Sequence, residues 1–171
     1  MPISKSWDIC LAQRYEGKEG RTLDWNAPFI NDYCAGVANG TVGGTYGVEV
    51  AAYVRRAFLA LPRLLSVERG LQGTTGMVLG SEFPWVECLA INEGADLVWT
   101  FEYSRIESTH PKLLAKPTKV MAAENLAGTL PLVDWIATYS SLEHSGLGRY
   151  GDAINPDGDK EAVAQAWCML K

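Results

Sequence analysis

Between residues 75 and 101 the chain runs through an apolar stretch, a glycine turn, an apolar-faced helix and a second apolar stretch, an order that few folds accommodate. Thr75-Gly76-Met77-Val78-Leu79 is short and continuously apolar, as a strand buried on both faces must be. Gly80-Ser81-Glu82-Phe83 makes a turn. From Pro84, which suits a first helical position because its missing N–H has no partner there, Val86, Leu89 and Ala90 share one face. Gly94 ends that helix and Leu97-Val98-Trp99-Thr100-Phe101 follows as a second strand. Strand, helix and strand within about 30 residues form a right-handed crossover between parallel strands.

The alternation continues on both sides. Val50, Val54, Ala57, Phe58 and Leu61 recur at helical spacing while Arg55 and Arg56 face away, and Pro62 is expected to stop this helix. A weaker third strand is expected near Lys119-Val120-Met121-Ala122, a strong fourth over Val133 to Tyr139, and a final helix with Val163, Ala166, Trp167 and Leu170 as its apolar stripe. The expectation is a doubly wound α/β fold, with a mostly parallel sheet and helices on both faces. Residues 48–171 form that domain. Residues 1–47 read as an irregular arm holding at most one short helix, with Trp7, Tyr15, Trp25 and Phe29 as aromatic anchors. Its end, Gly36 to Gly47, is glycine-rich but lacks the Gly-Lys-Ser/Thr ending of a phosphate loop, so a flexible connection is expected.

At 171 residues the chain fits one domain, and its formal charge of −5 leaves no basic stripe for a nucleic acid. No stretch approaches the ~20 apolar residues of a membrane span, and the first residues lack the apolar run of a secretory leader. A cytoplasmic protein is the default. Cys10, Cys34, Cys88 and Cys168 lie far apart without a C-x-x-C pair, so reduced thiols packing as small hydrophobes are expected rather than disulfides.

Open parallel sheets bind ligands beyond the carboxyl ends of their strands. The polar residues expected there are Gly80, Ser81 and Glu82 after the first strand, Glu102 and Tyr103 after the second, Glu124 after the third, and Ser140, Ser141, Glu143 and His144 after the fourth. Glu102 lies 22 residues beyond Gly80 (102 minus 80), the spacing at which an acid reaches the ribose of a nucleotide held on the first turn. A salt-bridged strand-end glutamate satisfies the same pattern, and both accounts stay open. The first turn has one glycine where a dinucleotide loop has three. Ser140 to Asp152 reads as a binding loop in which His144 acts as general base, oriented by Glu143 or Asp152. A weaker idea makes Glu143, His144 and Asp152 the site of a metal-assisted hydrolase. Asn155-Pro156-Asp157-Gly158-Asp159 reads as a turn whose aspartates cap the last helix, since it lacks calcium-loop spacing.

At Val78 to Glu87, at Thr100 to Ser104, and from Ser140 to Asp152 with Ala164 to Lys171, the chain resembles the family called domain of unknown function two-six-eight. The resemblance spans roughly residues 70–171 and implies a divergent branch of the class I S-adenosylmethionine-dependent methyltransferases. It assigns Gly80 and Glu82, with Ser81 between them, to the turn around the methionine end of the cofactor, Glu102 to its ribose and Glu124 to its adenine; the loop reading then places Glu143 or His144 near the acceptor. It also implies a sheet truncated after the fourth strand, whose exposed edge a partner chain could cover. The alternative is a noncatalytic Rossmann-like binding domain that keeps the sheet without the cofactor loop.

Overall fold

The computed structural model describes residues 22–65, 70–117, 120, 121, 123, 124, 127–149 and 152–171. Trp7, Cys10, Tyr15, Lys119, Ala122, Tyr150 and Gly151 lie outside them. In chain order the elements are β1 (Thr22–Trp25), α1 (Ala27–Ala38), α2 (Gly47–Leu65), β2 (Thr75–Leu79), α3 (Trp85–Asn92), β3 (Leu97–Glu102), β4 (Arg105–Ser108), β5 (Leu113–Pro117), β6 (Trp135–Thr138), a 3-10 turn (Leu142–His144) and α4 (Gly158–Cys168).

The main sheet has the order β5-β3-β2-β6 and every pairing in it is parallel. The expected β2-α3-β3 crossover is therefore present, with Met77 opposite Trp99 and Val78 opposite Thr100. Helices cover both faces, as in a doubly wound α/β fold. On one side Val78, Val98, Leu113 and Trp135 pack with Ile30, Phe58, Val86 and Leu89 from α1, α2 and α3. On the other, Met77, Leu79 and Phe101 pack with Val133, Ala166 and Met169. Gly76 has a steric task in β2: a Cβ there would sit inside the Trp135 indole, which crosses the strand and donates Nε1–H to the Thr74 hydroxyl at 3.1 Å.

Several expectations are corrected. The third strand is Leu113–Pro117, while 120, 121, 123 and 124 are helical. It occupies a sheet edge, where a lysine and a proline cost little because no neighbour needs the outward N–H. Pro62 does not stop α2, which runs on to Leu65; a proline this near a helix end removes one hydrogen bond without closing the remaining turn. Residues 22–38, within the stretch read as irregular, are a strand and a helix. β1 pairs in parallel with β4, and α1 is capped by Asn26 accepting from the Phe29 N–H and buries Ile30, Cys34 and Val37 one turn apart. In α4 the buried residues are Gly158, Ala162 and Gln165, with Met169 just beyond; Val163 and Trp167 are more than half exposed, so the expected stripe is rotated. Asp159 accepts from the Lys160 N–H, whereas Asp157 pairs with the Lys160 ammonium. Beyond β6, Val133 bridges Leu170 in parallel, so residues after α4 begin to cover the edge expected to lie open.

The cysteine expectation is overturned. Cys34 of α1 and Cys88 of α3 form a disulfide, and Cys168 is disulfide-bonded too. Distance in sequence gives no protection once α1 docks on α3 and brings the thiols face to face. This cross-link closes a separation of 54 residues, for which loop entropy gives a stabilisation of about 4 kcal/mol. Replacing both Cys34 and Cys88 by alanine is expected to lower the unfolding free energy by about that amount in urea titrations. Equal midpoints for the variant and the native chain, with and without reductant, would show that the cross-link contributes nothing.

Candidate functional site

The switch in strand order falls between β2 and β6: from β2 the chain proceeds outward to β3 and β5, then returns to lay β6 on the other side. Crossovers diverge there and leave a crevice beyond the carboxyl ends. A cleft of about 670 Å³ occupies that position, lined by the turn after β2 (Gly80 to Phe83), the end of β3 (Glu102 to Ser104) and the end of β6 (Tyr139 to Ser141).

Gly80 is the hinge of the first turn. Its φ of +77° is left-handed, its N–H donates to the Phe101 carbonyl at 2.9 Å, and a Cβ would meet the Ser141 hydroxyl across the cleft corner. The Ser81 N–H donates to Glu102 Oε2 at 2.7 Å, joining the first turn to the second strand. Glu102 Oε1 accepts from the N–H groups of Tyr103 at 2.8 Å and Ser104 at 3.4 Å. Burial pushes the Glu102 carboxyl above its ordinary range, and these backbone donors oppose the rise.

Below the turn lies Glu87, in the first turn of α3 and fully buried. Its Oε1 accepts from the Thr100 hydroxyl at 2.8 Å, and its Oε2 is 2.9 Å from Ser81 Oγ. Burial pushes this carboxyl up to about 7, against the pull of its hydrogen bonds and with a further push from Glu102. At the opposite wall Ser140 holds a φ of +49°, a strained conformation for a residue with a side chain and one that gathers at functional sites.

The glycine-rich segment expected to be a flexible connection is a wall of the cleft. Gly43 accepts from the Tyr33 hydroxyl at 2.9 Å, Gly44 lies so close to the Trp85 indole that a Cβ there would overlap it, and Thr45 and Tyr46 line the cavity. Tyr46 and Trp85 each meet Tyr139 edge-on, at 5.0 and 5.3 Å between ring centroids. Arg149 adds a cation to the lining.

The sites expected from sequence separate into two groups. Gly80, Ser81, Glu82 and Glu102 come together around the cleft; Glu124, Glu143 and His144 are not among the described residues lining it. Glu124 sits after β5 and pairs with the Lys116 ammonium, which lies over the Trp99 ring. Glu143 and His144 belong to the 3-10 turn following Ser141, with His144 Nε2 3.9 Å from Glu143 Oε1. Desolvation raises the Glu143 carboxyl, but hydrogen bonds from its own N–H and the Ser140 hydroxyl, with His144 nearby, together leave it below its ordinary value. Of the two acids expected to orient His144, Glu143 is the one beside it; Asp152 Oδ2 accepts from the N–H groups of Gly146 and Gly148 at 2.7 and 3.2 Å, and so shapes the loop. Among the described residues no cluster of three or more histidine, cysteine, aspartate or glutamate side chains is placed to hold a metal, so the Glu143, His144 and Asp152 trio is not assembled.

Fold and cleft thus define an α/β protein with a parallel sheet and a crevice at the carboxyl ends of its strands. The family model described as Caenorhabditis protein of unknown function, DUF268, matches residues 73–171, from the start of β2 through α4, and the chain belongs to that family. No protein of curated function and no solved structure matches it.

Two outcomes follow from this geometry. Glu87 is ordinary when unfolded and raised when folded, so the folded state holds an extra proton between the two values. Glu87's contribution to stability is full below the ordinary carboxylate range, falls as pH rises toward about 7, and is lost above it. The span corresponds to about 3 kcal/mol, and Glu87→Gln should remove that slope from denaturant titrations run across the range. Gly80→Ala should destabilise by at least 1 kcal/mol, through the left-handed φ and the clash at Ser141, a loss that a thermal melt would report.

Proposed function

We propose that the cleft holds S-adenosylmethionine and that the domain carries out methyl transfer to a small-molecule acceptor. The supporting observation is position: the crevice lies at the topological switch point between β2 and β6, with Glu102 at the end of the neighbouring strand β3. Its volume of about 670 Å³ is in the range of small-molecule sites. The lining also suits the cofactor's parts. Glu102 retains acceptor capacity on Oε2 for a ribose hydroxyl, Arg149 offers a cation to the carboxylate of the methionine end, and Trp85, Tyr46 and Tyr139 give aromatic surface beside the turn.

Bound there, the cofactor would supply a sulfonium methyl that passes to an acceptor lone pair while the sulfur keeps the bonding electrons. The chain's own contribution is alignment and proton removal. The Gly80 to Phe83 turn holds one end of the ligand and the tyrosine pair limits water access. His144, with Glu143 beside it on the 3-10 turn that continues the Ser140-Ser141 wall, stands outside the cleft lining and is the base for an acceptor that extends past that wall. Glu124 is left to the Lys116 ion pair rather than to adenine. The chain's charge of −5 disfavours a nucleic acid as the acceptor. The disulfides favour an oxidising compartment over the cytoplasm.

A noncatalytic binding domain is the second reading, and one observation favours it: three backbone N–H groups already engage Glu102. Calorimetry with S-adenosylmethionine and S-adenosylhomocysteine separates the cases. Micromolar binding of both is expected, weakened about tenfold by Arg149→Ala, the value of one charged hydrogen bond, and abolished by Glu102→Ala. Absence of heat with either ligand rejects the proposal. Binding without turnover of any supplied acceptor, unaffected by His144→Ala, transfers support to the noncatalytic reading.

A further inference from the structure

Ser81 Oγ lies 2.8 Å from the Phe83 carbonyl oxygen and 2.9 Å from Glu87 Oε2. A hydroxyl carries one proton, and a carbonyl oxygen can only accept. Were Glu87 ionised, one of these two close oxygen pairs would face each other with no proton between them. With the proton on Oε2 every contact is satisfied: Thr100 donates to Oε1, Glu87 donates to Ser81 Oγ, and Ser81 donates to the Phe83 carbonyl. We infer that Glu87 is a neutral carboxylic acid beneath the cleft, a positioning residue whose donated hydrogen bond sets the Ser81 to Phe83 turn for its ligand and releases it when the proton leaves.

The surrounding groups agree with this assignment. Glu102 from β3 disfavours a negative charge on Glu87, while the Tyr33 phenol of α1, raised by burial and by the nearby Glu87, brings no compensating positive charge. Glu82 stands on the turn itself, and Arg55 of α2 is engaged with Glu93 beyond the far end of α3. Burial raises the Glu87 carboxyl to about 7, within the range a cell compartment can span. Loss of the proton forces the Ser81 hydroxyl to turn from Phe83 toward the new carboxylate. Ser81 also donates its N–H to Glu102, so the rearrangement reaches the second strand end.

The inference that this acid tunes ligand binding rests on the proposed use of the cleft; the inference that it is neutral does not. Two measurements keep them apart. Infrared spectra of the folded protein at about pH 6, where exposed carboxyls are ionised, should contain a carboxylic acid carbonyl band that disappears in Glu87→Gln. Its absence from the native protein, or an equal intensity in the native chain and the variant, overturns the assignment whether or not any ligand binds. Calorimetry with S-adenosylhomocysteine should find affinity falling about tenfold between about pH 6 and pH 8 in the native chain. Glu87→Gln, whose amide donates to Ser81 and accepts from Thr100, should bind equally at both. A native profile matching that of Glu87→Gln overturns the positioning role. If the native chain binds at neither pH, the proposed function fails while the infrared result still decides the protonation.

Discussion

The hydrogen bond from the Ser81 N–H to the Glu102 carboxylate is the constraint on which the site depends. It joins the turn after β2 to the end of β3 at 2.7 Å, and it does so where strand order reverses. Parallel pairing puts both strand ends on one rim, and the order β5-β3-β2-β6 brings the end of β6 to the same rim. Without that bond the Glu102 carboxylate would lack its contact with the first turn, and the N–H of a buried serine would lose its acceptor, a cost of about 1–3 kcal/mol. The second carboxyl, Glu87, reaches the same serine from below. One residue thus mediates between a half-buried acid at the rim and a fully buried one.

The cross-link between α1 and α3 extends this arrangement downward. α3 carries Trp85 into the cleft wall and Glu87 beneath its floor, and Cys88 follows directly, bonded to Cys34. α1 also supplies Tyr33, whose hydroxyl holds the Gly43 carbonyl and so the start of the Thr45-Tyr46 wall. Fixing α1 on α3 therefore fixes two sides of the cavity. Trp85 is 6% exposed and Tyr46 is 48% exposed, so the aromatic wall is rigid at its base and open at its lip.

The βαβ core was legible because its pattern is strong. A continuous apolar run suits a strand buried on both faces, and Gly80 and Gly94 mark turns that do carry left-handed φ. Glu102 was legible for the same reason, as a fixed distance along a fixed motif, although its backbone donors were not. β5 was missed because Lys116 and Pro117 interrupt the apolar run, which an edge strand tolerates. The disulfide was missed because only tertiary docking brings residues 54 apart in sequence together. The Gly43-Gly44 wall was mistaken for a linker because sequence gives no hint that an indole will press against its backbone. Glu87 did leave a signal. It lies among Val86, Cys88, Leu89 and Ala90 in a helix apolar on every side, and an acid in such a helix must be neutral or paired.

The most direct test of the central claim is a crystal structure of the chain grown with saturating S-adenosylhomocysteine. The account predicts ligand density at the common rim, between the Gly80 to Phe83 turn, Glu102 and the Ser140-Ser141 wall, with the Ser81 N–H still directed at Glu102. Density elsewhere on the molecule, or strand ends of β2 and β3 on opposite rims, would contradict it.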